Sequence, residues 1–540
     1  MEALAGLASL FFALCCNGAF WQAVVAHAPG QWRLWFALLL LLVGLHGLLL
    51  GCVLNRWTAK PLLAVLFVAT AFAAHYTKAY GIYLDPDMLR NVLQTDWPEA
   101  RELLTPDLSW PLFALAVVPL ALLWKVRIAR RDWRSAVVRR IALLSLMALL
   151  LLAGGLLAGK DIAALMRNHR EDRYLVTPAN YLYSLARVAF AQPPGSKPAL
   201  LPVGEDAVQA PRAPGARPRL LLLVVGETAR AQNWGLNGYA RQTTPELARR
   251  GDMVNFTQMH ACGSSTEVSL PCMFSPFGRH DYDEKKIRAH QSLLHVLDRA
   301  GVATLWRDNQ SGCKGVCDGL PIERLSTAAD PRFCSGDRCL DEILLQGLVR
   351  KLDPADGDRI IVLHQLGNHG PSYYDRYPPQ FRRFTPTCDT GELSRCTQQQ
   401  IVGSYDNTLL YTDHVLARAI DFLQTQASGY DTALIYLSDH GESLGEKGLY
   451  LHGVPYAIAP EQQLRVPMTM WFSSGFAADA KLDLSCLRQR AALPADHDNL
   501  FPSVLGLFDV RTVAYDRQRD LFANCRTLPD ARLVTVQGMH

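Results

Sequence analysis

The feature that most constrains this chain is the crowding of apolar residues into its first third. Apolar segments run near residues 6–27, 35–54, 61–80, 109–124 and 141–159. A bilayer core about 30 Å thick is crossed by roughly 20 helical residues, and the second and fifth segments plainly reach that length. The fourth is shorter and the third carries His75 and Lys78 near one end, so buried core helices are the competing reading of those two. Ala26-His27-Ala28 offers a small-residue cleavage site after the first segment. The amino end carries Glu2 and no Lys or Arg, however, which favours a retained helix over a signal peptide. The expectation is an α-helical membrane domain of five transmembrane helices over residues 1–159.

Lys and Arg set its orientation. Lys125, Arg127, Arg130, Arg131, Arg134, Arg139 and Arg140 lie between the fourth and fifth segments, whereas residues 81–107 hold only Arg90 and Arg101 among several acids. The positive-inside rule makes the first of these loops cytoplasmic. Five spans then place the amino terminus inside and everything beyond Gly159 outside. The cysteines test this independently. Cys15, Cys16 and Cys52 sit in apolar segments. The other ten lie beyond Gly159, several as close pairs: Cys262 and Cys272, Cys313 and Cys317, Cys334 and Cys339, Cys388 and Cys396, leaving Cys486 and Cys525 for each other. An even count in an exported domain reads as disulfides. Zinc is the rival reading, but only one pair approaches a zinc-type spacing and no Cys/His pair follows it.

Residues 160–190 mix apolar, basic and Tyr positions, the composition of a helix lying on the outer bilayer surface or of a plain connecting helix. Residues 192–217 are rich in Pro and Ala and too poor in large apolar side chains for a core, so 160–217 reads as a connector. From Leu220 onward, short β-rich runs (LLLLVV, MVNF, ATLW, RIIVLHQ, TALIYLS) alternate with helical stretches near residues 245–250, 291–300, 340–351 and 401–425. That alternation implies a mostly parallel sheet covered on both faces, one α/β domain over 218–540. A net charge of +4 and the absence of a basic stripe with interleaved aromatics give no argument for nucleic acid.

Two of these strands stop at polar clusters. TALIYLS runs into Asp439 and His440, and RLLLLVVG runs into Glu227. In open α/β sheets the ligand crevice lies beyond the carboxyl ends of the strands, and two carboxylates with an imidazole suit Zn²⁺ or Mn²⁺. A fourth ligand is lacking in this set. The plain alternative is an ordinary Asp-His-Gly turn and a solvated strand-end Glu. In HACGSSTEVSLPCMF, small residues precede a helical stretch and place Ser264, Ser265 and Thr266 at a helix amino terminus, where free N–H groups favour an anion. Helix capping is the bland reading there. The Cys262/Cys272 pair would brace that loop, and G-x-S-x-G is absent. A hydroxyl needs help to ionise. Zinc lowers the pKa of bound water from about 15.7 to about 7, so coordination can replace a general base.

Taken together, VVGET with Glu227, CGSSTEVSLPCMFS with Thr266 and LSDHGESLGE with Asp439 and His440, behind five spans, resemble the lipid A phosphoethanolamine transferases of Gram-negative inner membranes over the whole chain. The resemblance implies a catalytic domain of the alkaline phosphatase/sulfatase type in the periplasm, carried by a multi-pass inner-membrane protein. It implies transfer in two steps. Thr266 takes phosphoethanolamine from phosphatidylethanolamine, releasing diacylglycerol, and passes it to a lipid A phosphate, lowering surface negative charge and so conferring polymyxin resistance. Glu227, Thr266, Asp439 and His440 would hold one zinc, with a second ion or the phosphate contacted by His369 in GNHGPSYY and His452 in YLHGVPYAIAP. Ser311 and Lys314 in DNQSGCKGVC would meet the phosphate. Asn91, Thr95 and Glu99, spaced by four, match a headgroup-binding set on one helical face, although Pro98 interrupts a clean helix there. Partners would be the donor lipid, lipid A and the membrane, with the protein a monomer.

Three rivals remain. A phosphoglycerol transferase of the lipoteichoic acid synthase type shares spans and ligands but lacks dense disulfides. A sulfatase needs C/S-x-P/A-x-R, whose Arg is missing here. A membrane-anchored binding protein that has lost catalysis would bind no zinc and form no phosphothreonine. Phosphoethanolamine transfer to another envelope glycan is the alternative acceptor reading.

Overall fold

The computed structural model describes every residue except 131, 192–198, 327–329, 336–337 and 527–540. One arginine of the basic loop, the start of the expected linker and the end of the expected catalytic domain therefore lie outside the described residues. The chain forms two units, the first comprising Met1–Gln94, Leu103–Pro194 and Gly445–Pro455 and the second Thr95–Glu102, Gly195–Leu444 and Tyr456–His540.

In the first unit, α1 (Glu2–Cys15) and α2 (Gly18–His27) reach the length of a membrane span only as a pair, bent by 56°. Asn17 explains how an apolar stretch tolerates that break. Its side-chain amide donates to the carbonyls of Phe12 (2.8 Å) and Thr177 (2.7 Å) and its oxygen accepts from Thr177 N (2.8 Å), so opened polar groups are re-paired away from lipid. Four further helices are each long and apolar enough to cross: α3 (Trp32–Val53), α4 (Ala59–Tyr80), then, beyond α5 (Pro86–Gln94) and α6 (Trp97–Glu102, in the second unit), α7 (Pro106–Lys125) and α8 (Trp133–Asn168). Among the described residues, four helices are thus long and apolar enough to span, or five with the bent pair counted as one. The short fourth segment gains length at both ends and is eased past Pro119 by a π turn at Phe113–Val117. Small residues let α3 and α8 approach closely. A Cβ on Gly44 would lie 2.8 Å from Leu151 Cγ and 2.9 Å from the Met147 carbonyl, and one on Gly154 would lie 2.7 Å from the Ala37 carbonyl. In lipid such close van der Waals packing replaces the hydrophobic effect as the force between helices.

No single helix covers residues 160–190. α8 runs on to Asn168, a 3-10 turn follows at Arg170–Leu175, and α9 (Ala179–Ala191) begins after Pro178. The residue before a proline is disfavoured in helical conformation, which keeps Thr177 from joining the 3-10 turn to α9.

The second unit is built on an eight-stranded sheet of β1 (Arg219–Gly226), β2 (Val254–His260), β3 (Ala303–Asp308), β4 (Ile322–Arg324), β5 (Arg359–His364), β6 (Asp431–Ser438), β7 (Arg465–Phe472) and β8 (Ala495–Asp496), in the order β8-β2-β7-β6-β1-β5-β3-β4. All pairings are parallel except those of β7 with β2 and β6. The central strands β1 and β6 are buried at every residue, as apolar runs between two helical layers must be. Two expectations need correction. The helix near 340–351 is replaced by 3-10 turns at Asp341–Leu345 and Leu348–Lys351, divided at Gly347, whose φ of 70° no continuing helix adopts. β7 is absent from the β-rich runs read in the sequence, and it carries Pro467, a residue that argues against an interior strand. The chain accommodates it at a bulge, where the register with β2 shifts between Val466 and Met468 and no ladder bond is asked of residue 467.

Candidate functional site

The site is assembled by sheet register. β1 and β6 are parallel neighbours in which Gly226 pairs with Ser438, so the next residues, Glu227 and Asp439, leave the sheet side by side. Asp439 N donates to the Gly226 carbonyl at 2.9 Å, continuing the ladder one step. Past Glu227 the chain turns through Thr228 at φ 53°, a left-handed conformation unusual for a β-branched residue. The Tyr405 hydroxyl, on α11 (Gln398–Thr425) when the short helix α10 (Thr266–Met273) is counted before it, holds that turn. It donates to the Thr228 carbonyl (2.7 Å) and accepts from Arg230 N (2.8 Å).

Thr266 is the first residue of α10, with Ser265 at its N-cap, and the Cys262–Cys272 disulfide ties the preceding loop to the helix. The Thr266 hydroxyl donates to Glu227 Oε2 at 2.9 Å and lies 3.2 Å from His440 Nε2. His440 Nε2 is in turn 3.4 Å from both Glu227 Oε1 and Asp439 Oδ2. His440 Nδ1 donates to the Gly441 carbonyl at 2.8 Å, which leaves Nε2 turned toward the carboxylates. Glu227, Asp439 and His440 are fully buried and Thr266 nearly so.

Three ionisable groups packed this tightly in the dry interior are a costly arrangement by themselves. Burial, with the Glu227 charge beside it, pushes Asp439 up to about 7. Burial alone would lower the His440 imidazole, but Asp439 and Glu227 push it up to about 10. Asp439 Oδ2 has no hydrogen-bond partner among the described residues. A divalent cation answers each of these features. Glu227, Asp439 and His440 each offer a ligand atom within 4.8 Å of the others, and the Thr266 hydroxyl lies within hydrogen-bond reach of two of them as a candidate fourth donor atom.

Around this centre, Gln310 Nε2 donates to Glu227 Oε2 (3.0 Å), Ser311 Oγ to Gln310 Oε1 (2.5 Å) and Lys314 Nζ to Ser311 Oγ (2.8 Å). The expected residues Ser311 and Lys314 therefore join the metal-type cluster through Gln310. His369 lies within 4.8 Å of the Glu227 carboxylate and pairs through Nε2 with Glu99 Oε1 at 3.2 Å. Burial would lower His369, but Glu99 pushes it up to about 9. Thr95 and Glu99 do not share a continuous helix with Asn91. α5 ends at Gln94, and Asp96 starts α6 by accepting from Glu99 N (2.9 Å), with Pro98 in the first turn where its missing N–H is harmless. Asn91 and His452 belong to the first unit. All five disulfides join the cysteines paired by proximity: Cys262–Cys272, Cys313–Cys317, Cys334–Cys339, Cys388–Cys396 and Cys486–Cys525.

Sequence reasoning missed the supporting layer. His497 Nδ1 accepts from Cys262 N (3.1 Å) while Nε2 donates to the Ser438 carbonyl (3.0 Å), joining the loop before Thr266 to the end of β6. Asp308 and His364, the last residues of β3 and β5, pair at 2.7 Å. The strand-end rule that found Glu227 and Asp439 applies equally to Asp308 and His364.

A family model described as Sulfatase matches residues 219–510 and one described as Phosphoethanolamine transferase EptA/EptB matches 42–192. The chain is 38% identical over 538 residues to the phosphoethanolamine transferase EptA of Escherichia coli K12, covering 97% of both. It is 37% identical to the phosphatidylethanolamine transferase Mcr-2 of Escherichia coli, covering 94% of this chain and 95% of that one. Among solved structures, the integral membrane protein lipooligosaccharide phosphoethanolamine transferase A of Neisseria meningitidis superposes with a TM-score of 0.92 at 39% identity, over 97% of this chain and 98% of that one.

Proposed function

The chain belongs to the phosphoethanolamine transferases that join a multi-pass membrane domain to a periplasmic domain of the alkaline phosphatase/sulfatase superfamily, and from that membership we propose that it moves phosphoethanolamine from phosphatidylethanolamine to a phosphate of lipid A through a covalent intermediate on Thr266. The observation that carries this reading is the convergence of the Thr266 hydroxyl, Glu227, Asp439 and His440 at the ends of two neighbouring strands. In this reading 1–159 is the membrane anchor in the inner membrane, 160–217 the connector and 218–540 the catalytic domain, acting as a monomer.

Glu227, Thr266, Asp439 and His440 would hold Zn²⁺, which when bound supplies the positive charge that favours an ionised threonine oxygen and offsets charge on the phosphoryl oxygens. The residues do the rest. Thr266 Oγ1 attacks the donor phosphorus, its proton leaving along the existing bond toward Glu227 Oε2. The bond from phosphorus to the glycerol oxygen breaks, and diacylglycerol departs after taking up a proton. The amino end of α10, which begins at Thr266, would favour the developing phosphoryl charge, while Lys314, Ser311, His369 and His452 would contact phosphate oxygens and Asn91, Thr95 and Glu99 would receive the ethanolamine headgroup. A lipid A phosphate oxygen then attacks the phosphothreonine and restores Thr266. Each transfer adds an ammonium group to the cell surface, which weakens attraction of cationic polymyxins.

Mass spectrometry of lipid A from cells expressing the chain tests the reading. The expected result is lipid A carrying one added phosphoethanolamine, absent from cells with an empty vector. Unmodified lipid A with phosphoethanolamine on another glycan would reassign the acceptor.

A further inference from the structure

Immediately after the nucleophile stands Glu267, a fully buried carboxylate that the proposed reaction does not use. Arg288 grips it, donating from Nη2 to Glu267 Oε1 (2.6 Å) and to its carbonyl (2.7 Å), and is itself steadied by Glu284 through Nε (3.0 Å). Glu267 Oε2 has no hydrogen-bond partner among the described residues, yet it lies 3.9 Å from the Lys314 ammonium, whose side chain is only 4% exposed. A buried ammonium needs a compensating charge and fixed hydrogen-bond partners to hold its place. Its backbone is set as tightly: Lys314 sits at φ 49° between Gly312 and Gly315, both at positive φ, in the loop closed by the Cys313–Cys317 disulfide.

We propose that Glu267 is a positioning residue, its carboxylate anchored by Arg288 so as to hold the Lys314 ammonium on the Ser311 hydroxyl, at the far end of the donor chain Lys314–Ser311–Gln310–Glu227. The order of donors in that chain is fixed. Lys314 can only donate, so Ser311 accepts from it and spends its own proton on Gln310, whose amide hydrogen is then directed at Glu227. Glu267 thus aligns a cation for the transferring phosphoryl group without touching it. This inference rests on the reading of Thr266 as nucleophile and Lys314 as a phosphate contact.

The test uses the full-length protein in detergent with Zn²⁺, as wild type, Glu267→Gln, Lys314→Ala and the double variant. Two readouts are taken: headgroup transfer from phosphatidylethanolamine, and binding of inorganic phosphate by calorimetry. Glu267→Gln should lower kcat by about tenfold or more with the donor KM within about threefold, weaken phosphate binding, and have no further effect in the Lys314→Ala background. Wild-type kcat and phosphate affinity in Glu267→Gln would overturn the proposal, and so would an equal fold loss with Lys314 already removed. Should Glu267→Gln not fold, Glu267→Asp withdraws the charge by one methylene and carries the same comparison. A wild-type chain that binds phosphate but transfers no headgroup refutes the parent reading alone, since the phosphate comparison still decides the role of Glu267.

Discussion

At the scale of single residues, the proposed reaction divides the site into side chains that would meet the substrate and side chains that keep them in place. Thr266→Ala removes the hydroxyl shared by Glu227 and His440. Transfer should fall by about three orders of magnitude or more, with no phosphorylated peptide recovered by mass spectrometry and an unfolding temperature near wild type. His497 serves the second role and has a pH signature. Burial holds its imidazole down at about 4, against an ordinary 6.5. The unfolded chain takes up this proton before the folded one does, so the stability His497 contributes is complete above about pH 6.5 and is lost as pH falls toward 4, about 3 kcal/mol in all. His497→Gln keeps a donor and an acceptor but does not titrate. Its unfolding midpoint should change less than that of wild type between about pH 7.5 and about pH 5, as thermal denaturation would measure. Glu227, Asp439 and His440 were legible because chemistry at the end of an apolar run is a one-dimensional pattern. Gln310 and His497 were not, since an amide or imidazole among loop residues reveals nothing until the fold brings its partners to it.

Elements repeat the lesson on a larger length scale. The parallel strands could be read from their apolar runs, whereas β7, which carries Pro467, was absent from those runs and the helix expected near 340–351 was undone by Gly347. In the membrane unit, composition located the helices but not their contacts. Gly154 and Gly155 look alike in the sequence. Yet a Cβ at Gly154 would meet the Ala37 carbonyl at 2.7 Å, while one at Gly155 meets nothing within 4 Å. Gly154→Ala should therefore push α8 off α3 and destabilise the unit by about 1–3 kcal/mol, whereas Gly155→Ala should be neutral or slightly stabilising through helix propensity. Thermal unfolding of the two variants in detergent separates the outcomes.

For the whole molecule, the cysteines and the basic loop agree on where each part resides. Arg130→Cys, in the loop before α8, should resist a membrane-impermeant thiol reagent applied from the periplasmic side and react once the membrane is opened. The disulfides also rank by the length of chain they close. Cys486–Cys525 spans 39 residues of sequence and Cys313–Cys317 only 4. In the loop-entropy picture, replacing the first pair by serines should cost about 4 kcal/mol and the second about 2, measured by chemical denaturation of the full chain.

The pairing of Gly226 with Ser438 carries one more consequence. Side chains fixed by a strand ladder take their spacing from the register and not from the surrounding loops, so a segment such as the one bearing His369 could change its substrate contacts without moving Glu227 against Asp439. Kinship among enzymes built this way therefore speaks more firmly about what is handed over than about who receives it.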